Sequence, residues 1–248
     1  MTSPSLLLID AGNTRLKWAT SPDGHLLDVA GDIATKAVTE RWIVALARKY
    51  PHGLVVLATV VPKLRSAFRR AFGKRLIDVN AKLPELRFRY PRPSEIGADR
   101  LAAAIAANAH GHAPAIIVAC GTATAVTVLD AKGRISGGAI APGLEAQLEA
   151  LIRTTAQLPA THLKSPRSPL GKSTRDAIRS GVMLSFRGGV KEIVRELVAT
   201  LPAHPKPTIM LTGGNARHLI EHMDVPFKLR PLLVLEGLLI IGARRLPS

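Results

Sequence analysis

Hydrophobic and polar positions along the chain fall into two similar series. Leu6 to Ile9 is an unbroken aliphatic run ending in Asp10 and predicts a buried strand. Leu16 and Trp18 alternate with Arg15 and Lys17, which predicts a second strand hairpinned to the first through Gly12-Asn13. Leu26 to Val29, after the turn signal Ser21-Pro22-Asp23-Gly24, predicts a third antiparallel strand. Val38, Trp42, Ala45 and Leu46 predict a helix over Thr35 to Arg48, with a strand over Leu54 to Val60 behind it. Pro62 opens a further helix that carries Leu64, Phe68 and Phe72 on one face and closes near Gly73, and a strand follows over Leu76 to Val79. Residues 80–95, punctuated by Pro84, Pro91 and Pro93, read as a connecting loop before an alanine-rich helix over Ala98 to His110.

The second series repeats the first. Ala115 to Val128 is again an aliphatic strand, a Gly-Thr turn and an alternating strand, with Gly121 falling on Gly12 and Ala119 on Asp10. Gly133 to Ile140 supplies a third strand containing Gly137-Gly138. Pro142-Gly143 ends it, and a helix runs over Leu144 to Ile152. A proline-spaced basic loop, Pro159 to Pro169, leads to a long helix over Thr174 to Leu197. That helix is expected to kink at Gly188-Gly189 and to turn Ile178, Val182, Leu184, Val190, Val194 and Leu197 to the core or a subunit interface. Thr208 to Leu211 is a strand entering Thr212-Gly213-Gly214-Asn215-Ala216, and an apolar helix over Val234 to Arg245 ends the chain. The pattern is an internal duplication. It predicts an α/β protein of two halves, 1–112 and 113–248, each a mixed sheet with an N-terminal β-hairpin and flanking helices, facing across a cleft.

Composition narrows the function. A chain of 248 residues with 47% hydrophobic content buries a sizeable core. No apolar run approaches the ~20 residues of a membrane span, and the first one is too short for a signal peptide. A lone cysteine, Cys120, excludes an intrachain disulfide framework and fits the cytoplasm. The excess of 34 Lys+Arg over 18 Asp+Glu, a net charge of +16, attracts anions. These charges are dispersed, aromatic content is only 4%, and neither zinc-finger spacing nor an RNP-like aromatic run is present, so no dedicated nucleic-acid partner is expected.

Candidate chemistry gathers in the first turn. Gly12 permits close backbone approach to a ligand, Asn13 and Thr14 offer donors, Lys17 adds a point charge, and Asp10 suits Mg²⁺, which is held by one or two carboxylates plus phosphate oxygens. Gly97-Ala98-Asp99-Arg100 opens the alanine-rich helix. Asp99 complements the helix dipole there, whereas Arg100 opposes it, so the pair reads as facing a ligand. Leu170-Gly171-Lys172-Ser173-Thr174 has the end of a Walker A loop but Pro166 where its first glycine belongs, which rules out a P-loop. His110 and His112, and His218 and His222 at helical spacing, lack a third metal ligand, and Cys120 reads as a packed residue.

Asp10-Ala11-Gly12-Asn13-Thr14-Arg15-Leu16-Lys17, Gly97-Ala98-Asp99-Arg100, Gly121-Thr122-Ala123-Thr124, Gly137-Gly138 with Pro142-Gly143-Leu144, and Thr212-Gly213-Gly214-Asn215 together resemble the type III pantothenate kinases, in the order that family has them. The resemblance implies the acetate and sugar kinase/Hsp70/actin fold and Mg²⁺-dependent transfer of the ATP γ-phosphate to pantothenate, the first step of coenzyme A synthesis, by a cytoplasmic homodimer. It implies that the turn from Asp10 to Lys17 binds ATP phosphates, with the metal on Asp10, and that Thr122 contacts the nucleotide. Asp99 becomes the general base, and Tyr90, Gly97, Ala98, Asp99, Arg100 and Thr174 become pantothenate contacts, Thr174 reaching the neighbouring subunit's site. Members of the family have also carried the label Bvg accessory factor, so a regulatory, nucleic-acid-associated protein is the alternative. The family aspartate associated with K⁺ or NH₄⁺ is replaced here by Ala119, which has no oxygen ligand to offer, so the monovalent cation stays an open cofactor. Asn215 stands where an acidic residue is common.

Overall fold

The computed structural model describes residues 5–155, 158–166 and 168–246; Arg167, in the expected basic loop, lies outside them. The chain divides into two compact units, Met1–Ala113 with Lys132–Ser136 and Leu232–Ser248, and Pro114–Ala131 with Gly137–Pro231.

The first unit is built from β1 (Leu6–Ala11), β2 (Arg15–Ser21), β3 (Asp28–Ala34), α1 (Glu40–Lys49), β4 (Leu54–Thr59), α2 (Pro62–Phe72), β5 (Leu76–Asp78) and α3 (Ala98–Ala109). The sheet order is β3-β2-β1-β4-β5. The hairpin strands β1 and β2, and β2 and β3, run antiparallel, while β4 is parallel to β1 and β5 to β4. Two expected boundaries move. Asp23 Oδ1 accepts the N–H groups of His25 and Leu26 (2.8 and 2.9 Å), which keeps Leu26 in the turn and starts β3 at Asp28. Thr39 caps α1 by accepting the Trp42 N–H (3.2 Å), so the helix begins at Glu40 and Thr35–Ala37 forms only a 3-10 turn.

The second unit carries β6 (Ala115–Cys120), β7 (Ala123–Leu129), β8 (Ile135–Pro142, whose first two residues group with the first unit), α4 (Leu144–Thr154), α5 (Thr174–Ala199), β9 (Thr208–Thr212) and β10 (Phe227–Leu229). Its sheet order, β10-β9-β6-β7-β8, is the first sheet's order strand for strand. β6 pairs antiparallel with β7 and parallel with β9, as β1 does with β2 and β4. The expected kink in α5 is absent: the helix is continuous, because Phe186 and Val190 on either side of Gly188-Gly189 are buried and hold it, and a helical glycine costs only about 1 kcal/mol. Leu184, expected on the buried face, is 48% exposed; Met183 and Phe186 occupy that face with Ile178, Val182, Val190 and Val194. His218 and His222 share no α-helix, since a 3-10 turn, Gly214–His218, ends at the first of them.

The last helix, α6 (Leu233–Ala243), belongs with the first unit and not with the half 113–248. Glycines let it in. A Cβ on Gly237 would lie 2.0 Å from Ala102 O of α3, and one on Gly242 would lie 2.9 Å from the Leu6 side chain of β1. Strand alternation then sorts the sheet's faces. Leu7, Ile9 and Ala11 join Leu46, Leu64, Phe68 and Phe72 in the core under α1 and α2. Leu6 faces α6, and Asp10, four residues on, shares that face with it.

Candidate active site

The turn between β1 and β2 is held by its carbonyls. Ala11 O accepts from Thr59 Oγ1 (3.1 Å) and the Val60 N–H (3.3 Å), Gly12 O accepts from Thr35 Oγ1 (2.8 Å), and Thr14 O accepts from the Thr35 N–H (2.9 Å). The Gly12 N–H closes the turn on Arg15 O at 3.0 Å. Asn13 and Thr14 are exposed at its tip.

Charged groups line up behind that tip. Asp10 is directly opposite Lys17 across β1 and β2, and Lys17 is directly opposite Asp32 across β2 and β3. Arg15 Nε donates to Asp32 Oδ1 at 2.7 Å. Because Asp10 lies on the face that α3 and α6 cover, the first turn of α3 delivers Asp99 to the same place. Burial, then the Asp99 charge, push the Asp10 carboxyl up from 3.8 to about 7; Lys17 opposes the rise and Asp32 adds to it. Asp99 Oδ1 accepts the Arg100 N–H (2.8 Å), and a Cβ on Gly97 would come within 2.6 Å of that oxygen. Burial lowers the Arg100 guanidinium from its ordinary value, against the opposing pull of Asp99 and Tyr90, so these three also lie together.

In the second unit the equivalent turn is packed from two sides by backbone. The Gly143 N–H donates to Thr122 O (3.1 Å), and a Cβ there would lie 2.3 Å from Gly121 O. Gly213, at φ +88°, leaves no room for a side chain, since its Cβ would lie 2.5 Å from Cys120 O. These glycines therefore serve close packing of backbone on backbone. Gly214, with open space where its Cβ would be, is free of that constraint. Thr122 is exposed on the turn, and Asn215 is buried, donating to Glu145 Oε2 at 2.6 Å. Ala119 occupies the Asp10 position of the second hairpin without a carboxylate. Cys120 is buried and its thiol is pushed up to about 12, so it is packing and not a nucleophile. Thr174 begins α5 behind Ser173, whose Oγ accepts the Asp176 N–H (3.2 Å), which makes the Gly-Lys-Ser-Thr stretch a helix cap.

The structure thus brings Asp10, Lys17 and Asp99 together, and Tyr90, Asp99 and Arg100 together, within the first unit; Thr122 and Thr174 stand in the second. Sequence reasoning passed over Asp32, Thr35 and Thr59, and the one available signal was strand register opposite Lys17 for Asp32. Among the described residues no group of three or more His, Cys, Asp or Glu comes together as a metal cage. Asp10, with Asp99 near it and an exposed turn beyond it, instead suits a divalent ion that arrives with a nucleotide and keeps phosphate and water ligands.

Two sheets of one strand order, each opening with a hairpin, make a duplicated fold of the actin-like kind. MreB5 of Spiroplasma citri bound to ADP superposes with a TM-score of 0.57 at 13% identity over 94% of each chain. A structure from Campylobacter jejuni, described as a Baf family transcriptional activator, gives 0.62 at 18% identity over 95% of this chain and 96% of that one. Sequence is more specific. Residues 6–196 match the family model for type III pantothenate kinase. The type III pantothenate kinase of Janthinobacterium sp. (strain Marseille) is 36% identical over 98% of this chain and 99% of that protein, and the one of Methylacidiphilum infernorum 32% identical over 96% and 88%. The chain belongs to the type III pantothenate kinase family.

Proposed function

We propose that this protein phosphorylates the 4′-hydroxyl of pantothenate with ATP, the first step of coenzyme A synthesis. The observation that carries the reading is the meeting of Asp10, Lys17 and Asp99 behind an exposed Gly-Asn-Thr turn. Phosphoryl transfer needs chiefly positioning and charge neutralisation, with a group to take the proton of the attacking alcohol. In this reading Ala11, Gly12, Asn13, Thr14, Arg15, Leu16 and Lys17 form the phosphate turn and Thr122 contacts the nucleotide from the second hairpin. Asp10 would hold Mg²⁺, which when bound neutralises charge on the phosphate oxygens. Asp99 orients the 4′-hydroxyl and accepts its proton. Arg100, already desolvated, pairs with the pantothenate carboxylate, Tyr90, Gly97 and Ala98 complete that substrate's contacts, and Thr174 reaches the neighbouring subunit's site.

The enzyme acts as a homodimer, supported by an exposed stripe on α5, Ala177, Gly181, Leu184, Ser185 and Gly188, where Cβ atoms at both glycines would meet nothing within 4 Å and another helix can approach closely. It works in the cytoplasm; no helix among the described residues is long and apolar enough to cross a membrane. It needs no monovalent cation at Ala119. A nucleic-acid role is not favoured, because the excess of basic residues is dispersed along the chain and aromatic content is only 4%.

The test is conversion of pantothenate to 4′-phosphopantothenate by the purified protein with ATP and Mg²⁺, with and without K⁺ or NH₄⁺. Product in both conditions is expected. Product only with the cation would overturn the Ala119 assignment, and no product from folded protein would overturn the kinase.

A further inference from the structure

Each hairpin turn is tied down by the residue directly after the third strand of its sheet. β3 ends at Ala34, and the next N–H, that of Thr35, donates to Thr14 O at 2.9 Å. β8 ends at Pro142, and the next N–H, that of Gly143, donates to Thr122 O at 3.1 Å. The first tie has a side-chain half that the second lacks: Thr35 Oγ1 donates to Gly12 O at 2.8 Å. Gly143 cannot carry an equivalent, since its Cβ would lie 2.4 Å from Thr122 O. The first turn is also the wider one, joining Ala11 to Leu16 where the second joins Cys120 to Thr124. A wider turn has one more peptide plane to fix.

The plane in question carries the ligand-facing donor. A trans peptide is rigid, with its C=O and its N–H pointing opposite ways. Holding Gly12 O toward Thr35 therefore turns the Asn13 N–H away from β3, at the exposed tip where a phosphate oxygen would be met. Asp32, three residues before Thr35 on β3, holds Arg15 at the same turn. One tie thus comes from the edge strand of the sheet and the other from the residue directly after it.

We propose that Thr35 is a positioning residue for the nucleotide, its hydroxyl orienting the Gly12-Asn13 peptide so that the Asn13 N–H is preset for an ATP phosphate. The proposal rests on the kinase reading and adds to it a residue outside the phosphate turn. Thr35→Val keeps shape and backbone N–H and removes only the hydroxyl, and Thr35→Ala removes the same bond without the branch. A hydrogen bond of ordinary net worth corresponds to a loss of about three- to tenfold. Both variants are expected to raise the KM for ATP, and the Kd of a non-hydrolysable Mg-ATP analogue, by about that factor, with the KM for pantothenate unchanged within about twofold. Thr35→Ser is expected to restore wild-type values. Wild-type nucleotide affinity in Thr35→Val and Thr35→Ala, or an equal loss for both substrates, would overturn the proposal while wild-type turnover leaves the kinase standing. A wild-type protein that neither turns over nor binds the analogue would bring down the kinase reading itself.

Discussion

Asp10 and Lys17 face each other as direct cross-strand partners, and the row continues without a break to Asp32 on the edge strand. Carboxylate, ammonium and carboxylate thus alternate across three strands on the face that also receives Asp99. Asp32 is already paired with Arg15, and Lys17 alone does not offset the burial of Asp10 and the charge of Asp99 beside it, which leaves Asp10 receptive to a metal ion carried in by a triphosphate.

The same imbalance costs stability in the free enzyme. Asp10 titrates near 7 folded and near 3.8 unfolded, so the folded state holds the extra proton between those values. Its contribution to stability is full below pH 3.8 and is lost as the pH rises through 7. Nucleotide-free Asp10→Asn is expected to be more stable than wild type at pH 8 by roughly 1–3 kcal/mol, with the gap closing toward pH 4. Thermal unfolding of both proteins across that range measures it, and a less stable variant at pH 8 would contradict the burial of an uncompensated charge.

Asp99→Asn keeps the size of the side chain and its capacity to accept the Arg100 N–H while removing the base. The expected result is a kcat lower by about 10²-fold or more with ATP affinity intact. Steady-state kinetics with direct nucleotide titration decides; near-normal kcat would place the base elsewhere.

Gly97→Ala tests the geometry without touching a charge. The new methyl would press on Asp99 Oδ1, 2.6 Å away, and on Val60 Cγ1 at 3.4 Å. A displaced carboxylate is expected to lower kcat by about tenfold, because a shift of about 1 Å at a reacting group is costly, while the melting temperature changes little. Unchanged kcat would mean that Asp99 yields without consequence.

In the second hairpin, Gly143→Ala and Gly213→Ala each put a Cβ against rigid backbone, at 2.3 and 2.5 Å, and Gly213 adds a positive φ. Losses of at least about 2 kcal/mol are expected in urea unfolding, against a near-neutral Gly214→Ala. Equal stabilities for all three would show that the turn is not clamped by these glycines.

Much of the site was legible because its chemistry is local. An aliphatic strand ending in Asp-Ala-Gly-Asn-Thr, and a helix opening with Gly-Ala-Asp-Arg, carry their function in consecutive residues. What lay hidden was support. Thr35, Thr59 and Asp32 are common polar residues in or beside strands, and nothing in their neighbours along the chain says that they reach back to the first turn. Gly213 was legible as a close-approach residue, but whether the approaching group was ligand or backbone depended on the position of Cys120, far away in sequence.

The sequence by itself determined the two hairpins, the mixed α/β character and the duplication, because periodicity and turn residues act over a few positions and repeat when the unit repeats. It misplaced the start of β3, the start of α1 and a kink in α5, where single caps and buried neighbours outweighed average propensity. Only the tertiary structure decided that α6 returns to the first sheet and that Asp10, Lys17, Asp32 and Asp99 share one face. Those outcomes depend on strand register and on glycine-permitted helix contact, which are relations between residues distant in the chain and are set by packing alone.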